Sequence, residues 1–152
     1  AIARLQAGRR IVSCGFTPTD ALHVLGRLSL GNANASLRGA MVLSALCGMT
    51  PAEFCALVLK KAEGTIAATI LEALSTREVG PALARFMGQT QGNPLLDISV
   101  RLRPRIIGIG AAAPFLLPAV AERLGTEAVF PEHFEVGNAL GAAIMDSINA
   151  EA

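Results

Sequence analysis

Residues 105–125 read Arg105-Ile-Ile-Gly-Ile-Gly-Ala-Ala-Ala-Pro-Phe-Leu-Leu-Pro-Ala-Val-Ala-Glu-Arg-Leu-Gly125. The opening Arg-Ile-Ile-Gly-Ile109 is β-branched and apolar, as a buried strand requires. Gly110 to Ala113 are small enough for a tight turn. Pro114 suits the start of a helix, which runs to Leu124 and is closed by Gly125. Ala128-Val129-Phe130 is a second short strand, ended by Pro131. A last helix is predicted over about 134–149, with Val136, Leu140, Ala143, Ile144 and Ile148 on its core side. Strand, helix, strand, helix is the rhythm of a parallel α/β layer. Two short strands do not make a stable sheet alone. Their partners would come from Ile11-Val12 or from sequence beyond this chain.

Upstream, residues 17 to about 88 read as helices. Thr17-Pro18-Thr19-Asp20 announces the first, with a capping threonine, proline at the first position and an acid placed to reach back. Leu22, Leu25 and Leu28 follow on one side. A second helix starts after Asn32 or Asn34 and runs to Cys47, with Gly48 ending it. Thr50-Pro51-Ala52-Glu53 repeats the capping device and opens a helix to about Ser75, ~38 Å long at 1.5 Å per residue. Its apolar stripe is Phe54, Leu57, Val58, Ala62, Ile66, Ile70 and Leu74. Gly64 marks a kink or a close contact. A short helix is expected near 81–87, a loop over 88–94, and a strand over 95–102. The chain is therefore one domain or domain fragment, helical over about 17–90 and strand-helix-strand-helix over about 95–150. The fold class is α/β and predominantly helical.

Composition narrows the function classes. Of 152 residues, 52% are hydrophobic and 16% charged, which excludes a disordered chain. With six Phe and no Trp or Tyr, the core must be aliphatic. Thirteen Lys and Arg against 12 Asp and Glu leave no basic footprint, so nucleic acid is not an expected partner. The one local cluster is Arg101, Arg103 and Arg105. Period-2 spacing puts all three on one face of an extended segment, either a phosphate-binding edge or a solvated strand edge. A membrane is not expected either. The apolar run over 106–121 is short of a span and holds Gly108, Gly110, Pro114 and Pro118. Arg4, Arg9 and Arg10 interrupt any signal peptide. Cys14, Cys47 and Cys55 make neither a disulfide framework nor a zinc motif, and Cys47 and Cys55 read as small buried hydrophobes. A cytoplasmic location and no metal site are the expectations.

Three groups of residues are candidates for chemistry. Gly108-Ile-Gly-Ala-Ala-Ala113, after a strand and before a helix, matches GxGxxA. Glycines there let backbone N–H groups approach a phosphate, and the helix N-terminus adds partial positive charge. Glu132 follows the next strand, as a dinucleotide fold would need. The same string also serves as a plain strand-to-helix turn. Asp20, His23 and Arg27 fall three and four residues apart, on one helical face. They read either as a base and its orienter or part of a metal site, or as a cap acid on a solvated face. His133, between Glu132 and Glu135, reads as a loop histidine. Gly137 and Gly141, with Asn138 between them, mark close packing or a hinge.

These stretches together resemble one family. Gly15-Phe-Thr-Pro-Thr-Asp-Ala-Leu-His-Val-Leu-Gly-Arg-Leu28 resembles the "TPTDALHVLGRL" segment of the hydantoinase/oxoprolinase A (N-methylhydantoinase A-like) family. Ile106 to Ala113 resembles its "GIGAPA" turn, although the proline stands one residue later here. Ala119-Val-Ala-Glu-Arg-Leu-Gly125, Val129-Phe-Pro-Glu-His133 and Val136-Gly-Asn-Ala-Leu-Gly-Ala-Ala143 are similar to its C-terminal run. The resemblance implies part of the C-terminal domain of the actin-like ATPase fold shared by sugar kinases and actin. It implies ATP, with magnesium in the intact protein, used to hydrolyse a small cyclic amide. The nucleotide would meet Gly108, Gly110, Ala111 and Ala112. Gly137, Asn138 and Gly141 would pack near the hinge, and Asp20 and His23 would be the catalytic candidates facing the substrate cleft. The family's aspartate-glycine-glycine-threonine phosphate loop is absent from these 152 residues. With its opening at Ala1, the chain is expected to be a C-terminal fragment, inactive alone, partnered by the rest of its parent chain, a partner subunit or further copies of itself. The alternatives are a helical interaction module without catalysis and a dinucleotide-binding domain. The latter has too few parallel strands after the turn.

Overall fold

The first described helix starts at the first capping signal. The computed structural model describes residues 15–29, 31–75, 80–82, 85, 99–137, 139 and 141–142. Helix α1 is Pro18–Val24 and α2 is Ala33–Leu46. Helix α3 is Pro51–Leu74. Strand β1 is Ile106–Ile107, α4 is Ala113–Arg123 and β2 is Ala128–Val129. A 3₁₀ turn at Phe134–Val136 follows. The molecule is mostly helical, with one small parallel sheet in which Ile106 pairs with Ala128 and Ile107 with Val129. Ile11-Val12, Cys14, residues 88–98, Asn138 and the core positions expected at 140–148 lie outside the described residues. Residues 99–102 have no strand pairing.

Both capping boxes form as expected. Thr17 Oγ1 accepts from the Asp20 N–H at 3.2 Å, and Asp20 Oδ2 accepts from the Thr17 N–H at 2.9 Å. Glu53 and Thr50 repeat the exchange at the start of α3. The helix ends are equally local. After α1, α2 and α4, glycines at 26, 48 and 125 take positive φ. At each, the next residue's N–H returns to the carbonyl five positions back: Arg27 to Leu22, Met49 to Ser44 and Thr126 to Ala121. This is the Schellman closure, which an L side chain at the glycine would strain.

The chain divides into two compact units, Ala1–Cys55 and Ala56–Ala152, with the boundary inside α3. In the first, α1 packs on α2. Ala21 and Leu22 are buried, opposite the line Ser36, Ala40 and Ser44, whose four-residue spacing gives α2 a small, close-approach face. Phe16 lies 3.4 Å from where a Cβ on Gly39 would stand and meets Phe54 at 5.3 Å between ring centres. In the second unit the core is Ala67 and Leu71 of α3 with Val120 and Leu124, flanked by Ile66, Ile70, Val100, Leu102 and Ile106. Truncating Leu71 or Leu124 to alanine is worth ~2–5 kcal/mol of stability.

Three expectations are corrected. Helix α1 ends at Val24, so Leu28 and Arg27 lie beyond it and the stripe of Asp20, His23 and Arg27 is broken. The buried line of α3 is Cys55, Leu59, Ala67 and Leu71, one position on from the expected stripe, and it leaves Leu57 and Leu74 exposed. Cys47 is exposed, whereas Cys55 is buried. Gly64 is buried within the unbroken α3.

Candidate functional site

Two places gather the candidate residues. The first is the glycine turn of the second unit. The Gly108 N–H donates to the Val129 carbonyl at 2.9 Å, continuing the β1–β2 ladder, and the Gly110 N–H donates to the Phe134 carbonyl at 2.6 Å. A Cβ on Gly108 would stand 2.5 Å from Phe130 and 2.7 Å from Leu117. Gly108 is therefore glycine for packing, and its N–H is already spent. Its expected place against a phosphate is not what the turn provides. Gly110 differs. Its φ is +98°, and among the described residues nothing lies within 4 Å of where its Cβ would be. The next two N–H groups, of Ala111 and Ala112, donate to no backbone carbonyl among the described residues. Ala112 caps α4 without a side-chain hydrogen bond, and Pro114 follows. The turn thus presents two half-buried N–H groups at the positive end of an 11-residue helix.

The turn is braced from one side. A Cβ on Gly137 would stand 3.4 Å from Ile109 Cγ2, so that glycine allows the 3₁₀ turn to lie close to Ile109. Among the described residues nothing lies within 4 Å of where a Cβ on Gly141 would stand. Glu132 and His133 are exposed and pair at 3.7 Å, and His133 adopts a left-handed backbone with φ 60°.

The second place belongs to the first unit. Asp20 Oδ1 accepts the Ser36 hydroxyl at 2.6 Å, while Oδ2 accepts both the N–H and the hydroxyl of Thr17. His23 Nδ1 lies 3.3 Å from Ser36 Oγ. Ser36 gives its only proton to the carboxylate, so the histidine donates at Nδ1. Burial raises the Asp20 carboxyl, but the bonds from Ser36 and Thr17, with the charge of His23, outweigh it and hold the group below the ordinary carboxylate value. Asp20 is thus a fixed acceptor and a weak base. Beside it opens a cavity of about 510 Å³, lined by Phe16, Ser36, Arg38, Val42 and Leu43 among others. Ser36 escaped the sequence reading. Its only signal is the four-residue spacing of Ser36, Ala40 and Ser44.

Comparison with protein-family models, curated proteins and solved structures finds no match. No three His, Cys, Asp or Glu side chains converge as metal ligands among the described residues. No single helix among them is long and apolar enough to cross a membrane. The turn's two N–H groups suit one phosphate group, whereas Asp20, Ser36 and Arg38 offer fixed polar contacts on the wall of an apolar cavity.

Proposed function

We propose that this chain is the C-terminal, nucleotide-side part of an ATP-dependent cyclic amide hydrolase of the hydantoinase/oxoprolinase type. The observation that carries the reading is the pair of unspent N–H groups at Ala111 and Ala112, beside the open face of Gly110. They would hold one phosphate of ATP, whose chemistry is to activate the amide carbonyl. The cavity beside Asp20 would take the cyclic amide. A ring N–H fits the lone pair left on Asp20 Oδ1, and a carbonyl or carboxylate fits the Arg38 guanidinium. Asp20 and His23 would then position the substrate and its protons. Phosphoryl chemistry also needs charge stabilisation from the far side of the nucleotide, which a phosphate loop outside this sequence would supply.

The test is amide NMR of the full 152-residue chain titrated with ATP and magnesium. Weak, millimolar-range binding that shifts Ala111 and Ala112 is expected, and Gly110→Val should abolish it. Submicromolar affinity, or no response at the turn, would overturn the reading. Hydrolysis of a cyclic amide by this chain alone would overturn the expectation that it is inactive by itself.

A second reading, an interaction module, is favoured by one feature. Leu37, Met41, Val42 and Leu46 of α2 are exposed, Leu46 at 80%. Such a face is more apolar than a solvated helix needs. Light scattering distinguishes the two: specific association that survives Gly110→Val, with no nucleotide response, would favour the module.

A further inference from the structure

We propose a separate binding cleft for a small phosphate monoester, built from Arg101, Arg103 and Arg105 in the second unit. The three arginines line a cavity of about 620 Å³ together with Gly125, Thr126 and Glu127. The sequence offered their alternation. What it did not show is the turn they face, or how firmly the two segments are joined.

Three hydrogen bonds hold the arginine segment against the 124–127 turn. The Leu102 N–H donates to the Leu124 carbonyl at 2.7 Å, and the Ile106 N–H donates to the Glu127 carbonyl at 2.9 Å. Between them the Thr126 hydroxyl donates to the Pro104 carbonyl at 2.9 Å. Leu102 and Ile106 turn inward onto the core, so Arg101, Arg103 and Arg105 are left on the exposed side. Gly125 closes the join from beneath. A Cβ there would stand 3.3 Å from the Arg101 Cγ and the Val100 carbonyl. The backbone that carries the guanidinium groups is therefore set before any ligand arrives, which lowers the ordering cost of binding.

The charge of the cleft selects the ligand. Arg105 pairs with Glu127 at 3.3 Å. Arg101 and Arg103 have no carboxylate partner among the described residues. Three guanidinium groups thus face one carboxylate, and the imbalance matches a dianion. Guanidinium forks fit the paired oxygens of a phosphate. Among the described residues no aromatic ring lines the cleft, so none of them stacks a nucleic-acid base there. The opening is larger than a phosphate alone and polar in its lining, which suits a phosphate on a small polar body. The cleft lies where both parallel strands begin, whereas the glycine turn follows the end of β1. This inference does not rest on the nucleotide reading.

The competing explanation is that the arginines merely complement the carbonyl end of α4, which is where cations belong. The experiment separates the two. The full ¹⁵N-labelled chain is titrated at pH 7.5 with glycerol 3-phosphate and with inorganic phosphate, and with sodium chloride at matched ionic strength. Saturable shifts at the amides of Gly125, Thr126 and Glu127 are expected with both phosphates and not with chloride. Arg101→Gln with Arg103→Gln should weaken binding at least about ten-fold, while Lys60→Gln on α3 leaves it unchanged. Shifts with the ester alone would place recognition in the body of the ligand and overturn the phosphate assignment. Equal shifts with chloride, or a double variant that loses thermal stability yet titrates like the parent, would overturn the proposal. Shifts at Ala111 and Ala112 report the other site and do not bear on this one.

Discussion

Ser36 donates its hydroxyl proton to Asp20 across sixteen residues, at 2.6 Å, and so ties the N-terminal turn of α2 to that of α1. Ser36 is 5% exposed, and the acceptor is charged. A bond of this kind contributes about 1.5–3 kcal/mol. Ser36→Ala should lower the stability of the first unit by that amount in urea denaturation. Ser36→Ala and Asp20→Asn together should cost less than their sum, since each removes the same bond.

Acid should find the same pair. Hydrogen bonds hold the folded Asp20 carboxyl below its ordinary value of 3.8. A group depressed in this way stabilises the fold fully above the unfolded value, and the contribution fades as pH falls through the folded one. Glu53, depressed by its bonds to Thr50, follows the same sign. Thermal unfolding between pH 6 and about pH 2 should therefore show a falling limb at the acid end. That limb should be shallower in Asp20→Asn. An unchanged limb would place the acid sensitivity elsewhere.

The two glycines of the turn should fail differently. Alanine at Gly108 meets Phe130 and Leu117 at less than 3 Å, so Gly108→Ala should cost ~1–3 kcal/mol by overpacking. Alanine at Gly110 meets no atom of the described residues but must hold φ +98°, a strain of ~1–3 kcal/mol. Nucleotide should raise the melting temperature of Gly108→Ala and of the parent alike, but that of Gly110→Val not at all.

Thiol labelling should rank the cysteines. Cys47 is exposed at the end of α2. Cys55 is buried, and burial, then the charge of Asp20, pushes its thiol up. In a Cys14→Ser background, one thiol should react at once with an aromatic disulfide reagent at pH 8. The second should wait for unfolding.

How much of this was written in the sequence depends on range. The capping boxes at Thr17 and Thr50 and the glycine closures at 48 and 125 involve residues a few positions apart, so their chemistry is complete locally. Gly26 closes α1 in the same way, but Leu22, Leu25 and Leu28 carry the expected helix past it. The buried line of α3 was misplaced by one position because nearly every side of that helix is apolar. Only the core it meets, Val120 and Leu124, selects the face. Ser36 was invisible for the same reason: its partner lies in another helix. At the glycine turn the residues were readable, but which N–H groups remain unspent depends on Val129 and Phe134.

The strand pair has a practical consequence. Ile107 and Val129 pair in register and both face outward, Ile107 at 71% exposure. An apolar ledge of this kind is a surface that a second apolar surface can cover. Ile107→Lys should therefore lessen association of concentrated material, as read by light scattering.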